Sequence, residues 1–315
     1  MTKLLKQGIL WMFFFLSLFV MWCSTTTTDT TEDMDMDMTG TIETSDTTDG
    51  DDTTDVESQG AETTMMDHGD DTGKVTLWDS PRHQERVEID NNGKTLYSWI
   101  VYPETSEPAP VVLVIHENKW LTDRVRQMAD DIAAEWYIAI APDLLSSYSD
   151  EYTRTTDFAT PDDATQALYA LDQTQVTSDM QAVYDYAQTL PAANGKTVSA
   201  GFCRGWSQAF EYAIANPELE KSYVFYGTAP ASWEVYADLQ VPIVAFYAWD
   251  DERVNSTIPQ TEEFMSQNNN TYEYEMYPWA GHAFMRNGVM PDASQPNIDA
   301  RTKAFERLIN DLKDL

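Results

Sequence analysis

Short apolar runs, separated by amphipathic or polar segments, recur from about residue 85 to the end of the chain. Two of them alternate apolar and polar residues, ERVEID (85–90) and KTLYSWIVYP (94–103), and Asn92-Gly93 stands between them. This pattern predicts a β-hairpin. Other runs are almost continuously apolar, which is typical of strands buried on both faces of a parallel sheet: PVVLVIH (110–116), YIAIAPDL (137–144), KTVSAGF (196–202), SYVFYG (222–227) and PIVAFYA (242–248).

Apolar residues at helical spacing lie between these runs. One set predicts a helix after the first buried strand (Val125, Met128, Ala129, Ile132), and another predicts a closing helix (Phe305, Leu308, Ile309, Leu312). Ser178 and Gln181 have the spacing of a capping box, which predicts a helix start at Ser178. Strands that alternate with helices indicate an α/β fold with a mostly parallel central sheet, right-handed crossovers and flanking helices.

The N-terminal segment has a different character. Lys3 and Lys6 precede an apolar core from about Gly8 to Trp22, too short for a typical membrane-spanning helix, and Cys23 follows. Residues 1–22 therefore resemble a bacterial lipoprotein signal, which implies an exported cell-envelope protein with lipid attached to Cys23. An uncleaved signal anchor is the alternative. Trp22 departs from the pattern, because a small residue normally precedes that cysteine.

Residues 24–75 are predicted to form a disordered acidic tether before a catalytic domain at 76–315. Positions 24–73 hold 16 Asp and Glu, no Lys or Arg, and no aromatic residue, so the segment has too little apolar surface to fold. The net charge of −34 disfavours nucleic acid and anionic lipid surfaces as partners. Membrane contact is expected only through the lipid anchor, and the sequence leaves the oligomeric state open.

Polar segments with reactive side chains follow four of the predicted strands. They are His116-Glu117-Asn118, Gly201-Phe202-Cys203-Arg204-Gly205, Asp250-Asp251-Glu252-Arg253-Val254 and Ala280-Gly281-His282-Ala283-Phe284, and the last of them follows a further strand, YEYEMYP (272–278). Ligands collect at the carboxyl ends of strands in open parallel sheets, so these segments are expected to converge there.

The spacing G-x-C-x-G at 201–205 is the cysteine form of a nucleophile elbow. Such a turn is strained, and the residues on either side of it must be small. The order Cys203, Asp251, His282 also follows the nucleophile–acid–histidine order of α/β hydrolases. His282 would activate the thiol and Asp251 would orient the histidine. Asp250 remains an alternative for the acid, and a free cysteine can also be an inert core residue.

Five fragments, in this order, make residues 80–315 resemble the dienelactone hydrolases of the α/β-hydrolase fold: VVLVIHEN, IAPDLL, GFCRG, FYAWDDERV and YPWAGHAF. The resemblance implies Cys203, His282 and Asp251 as the catalytic triad. It also implies Glu117 as an acid beside the thiol, which disfavours the thiolate and can accept its proton, although Glu117 can also be a structural acid. The oxyanion hole would be the backbone N–H groups of Asn118 and Arg204.

The resemblance fails at one position. Dienelactone hydrolases hold the substrate carboxylate with an arginine soon after the PDL segment, where this chain has Ser146, Ser147 and Tyr148. Arg204, beside the nucleophile, is the tentative replacement. The expected activity is hydrolysis of small esters or lactones without a metal or other cofactor. The alternatives are a carboxylesterase or acyltransferase on the same triad, and a surface-tethered binding lipoprotein with an inactive site.

Six of the ten tryptophans stand where a small residue is expected: Trp22, Trp120, Trp136, Trp206, Trp249 and Trp279. Trp136 directly follows a predicted helix end, a position with φ > 0 that usually takes glycine. The chain has only 13 glycines, fewer than the usual share of about 7%. Some bacterial lineages read UGA as glycine and others as tryptophan. These residues are therefore either glycines written as tryptophan or the tryptophans of an aromatic-rich site.

Overall fold

The computed structural model of the chain describes residues 77–315. The predicted signal (1–22), Cys23, and the tether (24–75) lie outside the described residues. Within the described part, the central feature is an eight-stranded sheet in the order β1-β2-β4-β3-β5-β6-β7-β8. Its strands are β1 Gln84–Asn91, β2 Lys94–Val101, β3 Ala109–Ile115, β4 Ile138–Pro142, β5 Ala193–Phe202, β6 Lys221–Phe225, β7 Ile243–Asp250 and β8 Tyr272–Gly281.

The sheet is mostly parallel, as predicted. Only the β1–β2 and β2–β4 pairs are antiparallel, and every pair from β4 through β3, β5, β6 and β7 to β8 is parallel. The hairpin turn at Asn92-Gly93 has φ values of 55° and 88°, as expected for the primed turn that Asn-Gly favours.

Helices cover both faces of the sheet. They are α1 Asp123–Ala134, α2 Pro161–Ala170, α3 Gln173–Thr189, α4 Arg204–Ala215, α5 Glu252–Asn255, α6 Ile258–Gln267, α7 Phe284–Asn287 and α8 Gln295–Leu312. Alternate residues of β3 face opposite layers: Val111 and Leu113 pack with α2, α3 and α4, while Val112 and Val114 pack with α1, α7 and α8. The continuous apolar runs of the sequence are therefore strands covered on both faces. No helix within residues 77–315 combines the length and apolar character needed to cross a membrane.

The predicted helix start at Ser178 is wrong. Helix α3 begins at Gln173, and the Asp172 side chain caps it by accepting a hydrogen bond from the Gln175 N–H at 3.0 Å. Ser178 lies inside the helix, where its Oγ accepts a hydrogen bond from Asn91 Nδ2 at 3.1 Å. The helix begins upstream of Ser178 because Val176 is buried against the core. Burial of this residue outweighs the local capping pattern in setting the start of the helix.

Candidate active site

The turn between β5 and α4 presents Cys203 above the carboxyl edge of the sheet. Cys203 has φ 52° and ψ −109°, a strained conformation for a residue other than glycine. Such strain persists only where the surrounding structure imposes it, and it is common at functional sites. The cysteine is partly exposed and free, as an approachable thiol must be.

The two glycines of the elbow are required by close packing. A Cβ atom at Gly205 would lie 2.4 Å from the Ile115 carbonyl oxygen, and one at Gly201 would lie 2.1 Å from the Gly205 carbonyl oxygen. Both contacts are far shorter than van der Waals distance and involve backbone atoms that cannot easily move. The prediction that small residues must flank the turn is therefore confirmed.

His282 lies between the thiol and a carboxylate. Its Nε2 atom is 3.1 Å from Cys203 Sγ, and its Nδ1 atom is 2.6 Å from Asp251 Oδ2. The histidine follows β8 and the aspartate follows β7, so two neighbouring strands bring the groups together. A continuous hydrogen-bonded chain of thiol, imidazole and carboxylate is the geometry that activates a nucleophile.

The structure places Asp251, rather than Asp250, against the histidine. Asp251 is buried, whereas Asp250 is exposed. Asp251 also caps α5, since its Oδ1 atom accepts a hydrogen bond from the Val254 N–H at 3.4 Å. One carboxylate thus serves both as a helix cap and as the partner of the histidine.

The ring of His282 holds a proton more tightly than an ordinary histidine. Burial disfavours its charged form, but the hydrogen bonds and charges of Asp251 and Cys203 outweigh this cost and raise its pKa to about 9. An imidazolium beside the sulfur stabilises the thiolate, which is the nucleophilic form of cysteine.

Glu117 is buried at the end of β3 and has a partner on each carboxylate oxygen. Its Oε1 atom accepts a hydrogen bond from Tyr226 Oη at 3.0 Å, and its Oε2 atom lies 3.3 Å from a guanidinium nitrogen of Arg286. Burial, followed by the charges of Glu117 and Cys203, raises the pKa of Tyr226 well above its ordinary value, so the phenol stays protonated and donates. Arg286 supplies the compensating positive charge for the buried acid.

His116 fixes the loop that carries Glu117. The ring is fully buried, with Nδ1 2.8 Å from the Glu117 carbonyl oxygen and Nε2 accepting from the Leu144 N–H at 3.2 Å. Burial lowers its pKa, in keeping with a neutral ring that donates from Nδ1. His116 therefore has a structural role in this loop.

The two predicted oxyanion donors belong to the segments that follow β3 and β5, which are neighbouring strands of the sheet. Arg204 is the first residue of α4, and the first N–H groups of a helix have no acceptor within it. Asn118 lies in the loop after β3, and its carbonyl accepts a hydrogen bond from Thr165 Oγ1 at 3.2 Å. The Arg204 side chain points elsewhere: its guanidinium lies 5.2 Å from the ring centre of Tyr169 on α2.

A cavity of about 200 Å³ adjoins this site. Its walls include Glu117, Tyr226 and Arg286, together with Trp120 and Phe202, the residue before Cys203. The lining combines apolar side chains with six charged residues, and Cys203, Asp251 and His282 are not part of it. Tyr226 connects the cavity to the triad, because its ring centre lies 5.3 Å from that of His282. In the part of the chain that the structure describes, no cluster of three His, Cys, Asp or Glu side chains could hold a metal ion.

The parallel sheet, the cysteine elbow after β5 and the histidine after β8 define an α/β hydrolase by fold. The chain belongs to the dienelactone hydrolase family, because the model of that family matches residues 97–315. It is thus a dienelactone hydrolase-like hydrolase, and the resemblance read from the sequence is confirmed.

Known relatives agree with this membership. A protein of Saccharolobus solfataricus named "Putative carboxymethylenebutenolidase" is 26% identical over 267 residues, covering 72% of this chain and 99% of its own. A protein of the same name from Escherichia coli is 28% identical over 210 residues, covering 63% and 76%. A solved structure from Klebsiella pneumoniae, titled a "Putative Dienelactone Hydrolase", aligns with a TM-score of 0.65 at 20% identity, over 74% of this chain and 99% of that one; this likeness shows the fold.

Sequence reasoning missed Tyr226 and Arg286. Tyr226 is the residue after β6 and has φ 40°, but the run SYVFYG reads only as a buried strand. Arg286 lies in α7, four residues after His282, and that closeness in the chain was its only signal in the sequence. Both contacts with Glu117 join residues far apart in the chain and depend on the assembled sheet.

Proposed function

We propose that this hydrolase cleaves small carboxylic esters or lactones through a covalent acyl intermediate on Cys203. The observation that carries the proposal is the chain of contacts from Cys203 Sγ to His282 Nε2 at 3.1 Å and from His282 Nδ1 to Asp251 Oδ2 at 2.6 Å. The strained, partly exposed position of the sulfur supports the same role.

In the proposed reaction, the proton that Cys203 and His282 share passes fully to His282 Nε2 as the sulfur bonds to the carbonyl carbon. The tetrahedral intermediate collapses with cleavage of the C–O bond, and His282 returns the proton to the leaving oxygen. With a lactone substrate, the ring opens at this step, and the leaving oxygen stays in the same molecule as the acyl group on Cys203. Water then attacks the thioester with His282 as base, the C–S bond breaks, and the proton returns to the sulfur.

Groups around the sulfur have supporting roles in this proposal. The N–H groups of Asn118 and Arg204 would donate hydrogen bonds to the oxyanion. The carboxylate of Glu117 would disfavour the free thiolate by like-charge repulsion, and its ion pair with Arg286 at 3.3 Å would reduce that repulsion. The balance would let the sulfur and the imidazole share the proton until a substrate arrives.

Chromogenic short-chain esters provide the test, with iodoacetamide labelling of the thiol measured alongside. Wild-type protein should release the chromophore with a burst of one equivalent under conditions where deacylation is slow, and the ester should protect Cys203 from labelling. Cys203→Ala should abolish turnover and the labelling that peptide mass spectrometry assigns to residue 203, since Cys23 is a second thiol, while leaving the circular dichroism unchanged. An unreactive thiol with no turnover would instead support the binding lipoprotein, and equal turnover in Cys203→Ala would exclude the cysteine mechanism.

We also propose that the enzyme is exported and anchored through lipid on Cys23. The support is the basic segment with Lys3 and Lys6, the apolar core that follows it, and the cysteine directly after that core. Metabolic labelling with a fatty-acid analogue should mark the wild-type protein and leave Cys23→Ser unmarked. Equal labelling of both forms, or an intact N-terminus in the envelope fraction, would contradict lipid attachment at this residue.

A further inference from the structure

Three tryptophans have left-handed backbone conformations. Their φ values are 62° at Trp120, 77° at Trp136 and 61° at Trp279. For a bulky residue this region is a steric outlier, because the Cβ atom crowds the backbone, whereas glycine enters it freely. A third of the nine positive-φ residues other than glycine within residues 77–315 are thus tryptophan.

The remaining six positions have more ordinary explanations. Two are asparagines, which tolerate this region, and three belong to the candidate active site, where strain is common; Ser147 completes the set. The tryptophans differ because their side chains give no general reason for the strain. Trp136 is 60% exposed and Trp279 is 73% exposed, so burial of the indole does not offset the unfavourable backbone.

Two of the positions are local structures that favour glycine. Trp136 is the C′ residue of α1, and its N–H donates to the Ala133 carbonyl at 3.2 Å, which is the helix-ending contact usually made by a left-handed glycine. Trp279 lies in β8 where the pairing with β7 is irregular, between the partners Tyr277 and Gly281. Left-handed glycines are typical of such bulges.

Trp120 has the same backbone strain inside the candidate site. It lies in the loop between β3 and α1 that also carries Glu117 and Asn118, and its side chain forms part of the cavity wall. The indole is 6% exposed and takes up space at the wall of the cavity that Glu117 and Arg286 also line. Glycine at this position would relieve the backbone and leave that space to a ligand.

The surroundings of Trp206 also favour a small residue, but because of close packing and not because of backbone conformation. Its backbone is helical, but a Cβ atom placed on Gly227 would lie 2.3 Å from the Trp206 Cβ, so α4 passes very close to the chain after β6. Its indole Nε1 is buried without a hydrogen-bond partner among the described residues, but the Nε1 of Trp99 is as well, so this feature does not distinguish the two tryptophans. Trp249 has neither feature, and the structure assigns it no preference for glycine.

We infer that the natural residue at positions 120, 136 and 279 is glycine, specified by UGA codons, and that glycine at 120 widens the substrate cavity. The first half follows from backbone geometry alone. The second half rests on the proposed ester or lactone hydrolysis at Cys203. Trp99 is the matched contrast, because it lies in β2, is not among the residues with positive φ and has its ring 5.2 Å from the Arg126 guanidinium, so we expect tryptophan there in the natural protein.

The gene and the natural protein test the first half directly. The codons for 120, 136 and 279 should be UGA, the codon for Trp99 should be UGG, and peptide mass spectrometry of protein from the source organism should show glycine at the three positions. UGG at any of the three, or tryptophan mass there in the natural protein, overturns the inference for that position. Neither measurement depends on catalysis, so this half can succeed even where the proposed function fails.

Single variants of the full chain provide the second test. Trp136→Gly and Trp279→Gly should each raise Tm by about 3 °C, while Trp99→Gly should lower it. A fall in Tm for the first two variants would contradict the strain on which the inference rests.

The effect of residue 120 on the cavity has its own test. Trp120→Gly should raise kcat/KM for a bulky ester at least tenfold more than for an acetyl ester, and adding Cys203→Ala should abolish activity in either background. If the variant is active but its selectivity does not change, position 120 does not limit the size of the substrate. If no variant is active, the proposed function is rejected, and the codons alone decide whether the natural residues are glycine.

Discussion

The carboxylate of Asp251 reaches the ring of His282 at 2.6 Å while its other oxygen caps α5. One side chain therefore ties the end of β7 to the histidine after β8. Both the orientation of the His282 ring and the stability of α5 therefore depend on Asp251. Suitable substitutions of this residue can separate the two effects.

Asp251→Asn should keep the cap and lose the ionic partner. Asparagine is a good N-cap residue, so the fold should be retained, but an amide cannot stabilise the imidazolium that forms during acyl transfer. We expect kcat/KM to fall by on the order of 10³-fold, measured with a chromogenic ester. Asp250→Asn is the matched control and should retain activity, because Asp250 is exposed. The opposite ranking would assign the triad acid to Asp250.

The raised pKa of His282 makes stability depend on pH in a definite direction. The folded-state pKa of about 9 lies above the ordinary value of 6.5, so the native state holds the proton more tightly than the unfolded chain. Its stabilising contribution is complete below pH 6.5, decreases as the pH rises, and is lost above about 9. The ring is 32% exposed, so we expect a contribution of about 2 kcal/mol after allowance for solvent screening.

Urea unfolding at pH 6 and pH 9 measures this contribution. The wild-type protein should lose more unfolding free energy between the two pH values than His282→Gln does. Cys203→Ala should lie between them, because Asp251 remains while the sulfur does not. Identical losses in wild type and His282→Gln would show that other groups control the pH dependence.

Gly205→Ala should destabilise the protein strongly. The added methyl would meet the Ile115 carbonyl oxygen at 2.4 Å and the His116 carbonyl oxygen at 2.6 Å, so α4 would have to move away from β3. We expect a loss of about 3 kcal/mol in unfolding free energy and, since Cys203 moves with the helix, a fall in kcat/KM. Gly281→Ala is the control, because its methyl would meet only Asn297 Oδ1 at 3.9 Å. A Gly205 variant as stable as this control would mean that the elbow tolerates more space than its contacts indicate.

The sequence predicted most of the sheet and the three members of the candidate triad because these depend on local signals. Continuous apolar runs mark doubly covered strands, and the elbow carries its glycines at fixed spacing around Cys203. The start of α3 was missed because burial of Val176 overrides the capping pattern at Ser178. The partners of Glu117 were missed because Tyr226 and Arg286 come from separate loops and meet it only after the sheet has formed.

Arg204 and Arg286 are competing candidates for recognition of an acidic substrate. The sequence favours Arg204 because it adjoins Cys203. In the structure its guanidinium packs on Tyr169, and burial lowers its pKa. Arg286 lines the cavity and is paired with Glu117 at 3.3 Å, so a substrate carboxylate could share its positive charge.

The decisive readout is the ratio of kcat/KM for an acidic ester to that for a neutral ester of the same size. Arg286→Ala leaves Glu117 without this charge and should slow both substrates, but it should lower the ratio by about tenfold or more, since a charge-assisted hydrogen bond contributes about 1.5–3 kcal/mol. Arg204→Ala should leave the ratio unchanged, because its guanidinium packs on Tyr169 outside the cavity wall. If Arg204→Ala lowers the ratio and Arg286→Ala does not, the substrate lies on the α2 side of Cys203, as the sequence suggested. If neither variant lowers it, the site does not use a cation to select its substrate.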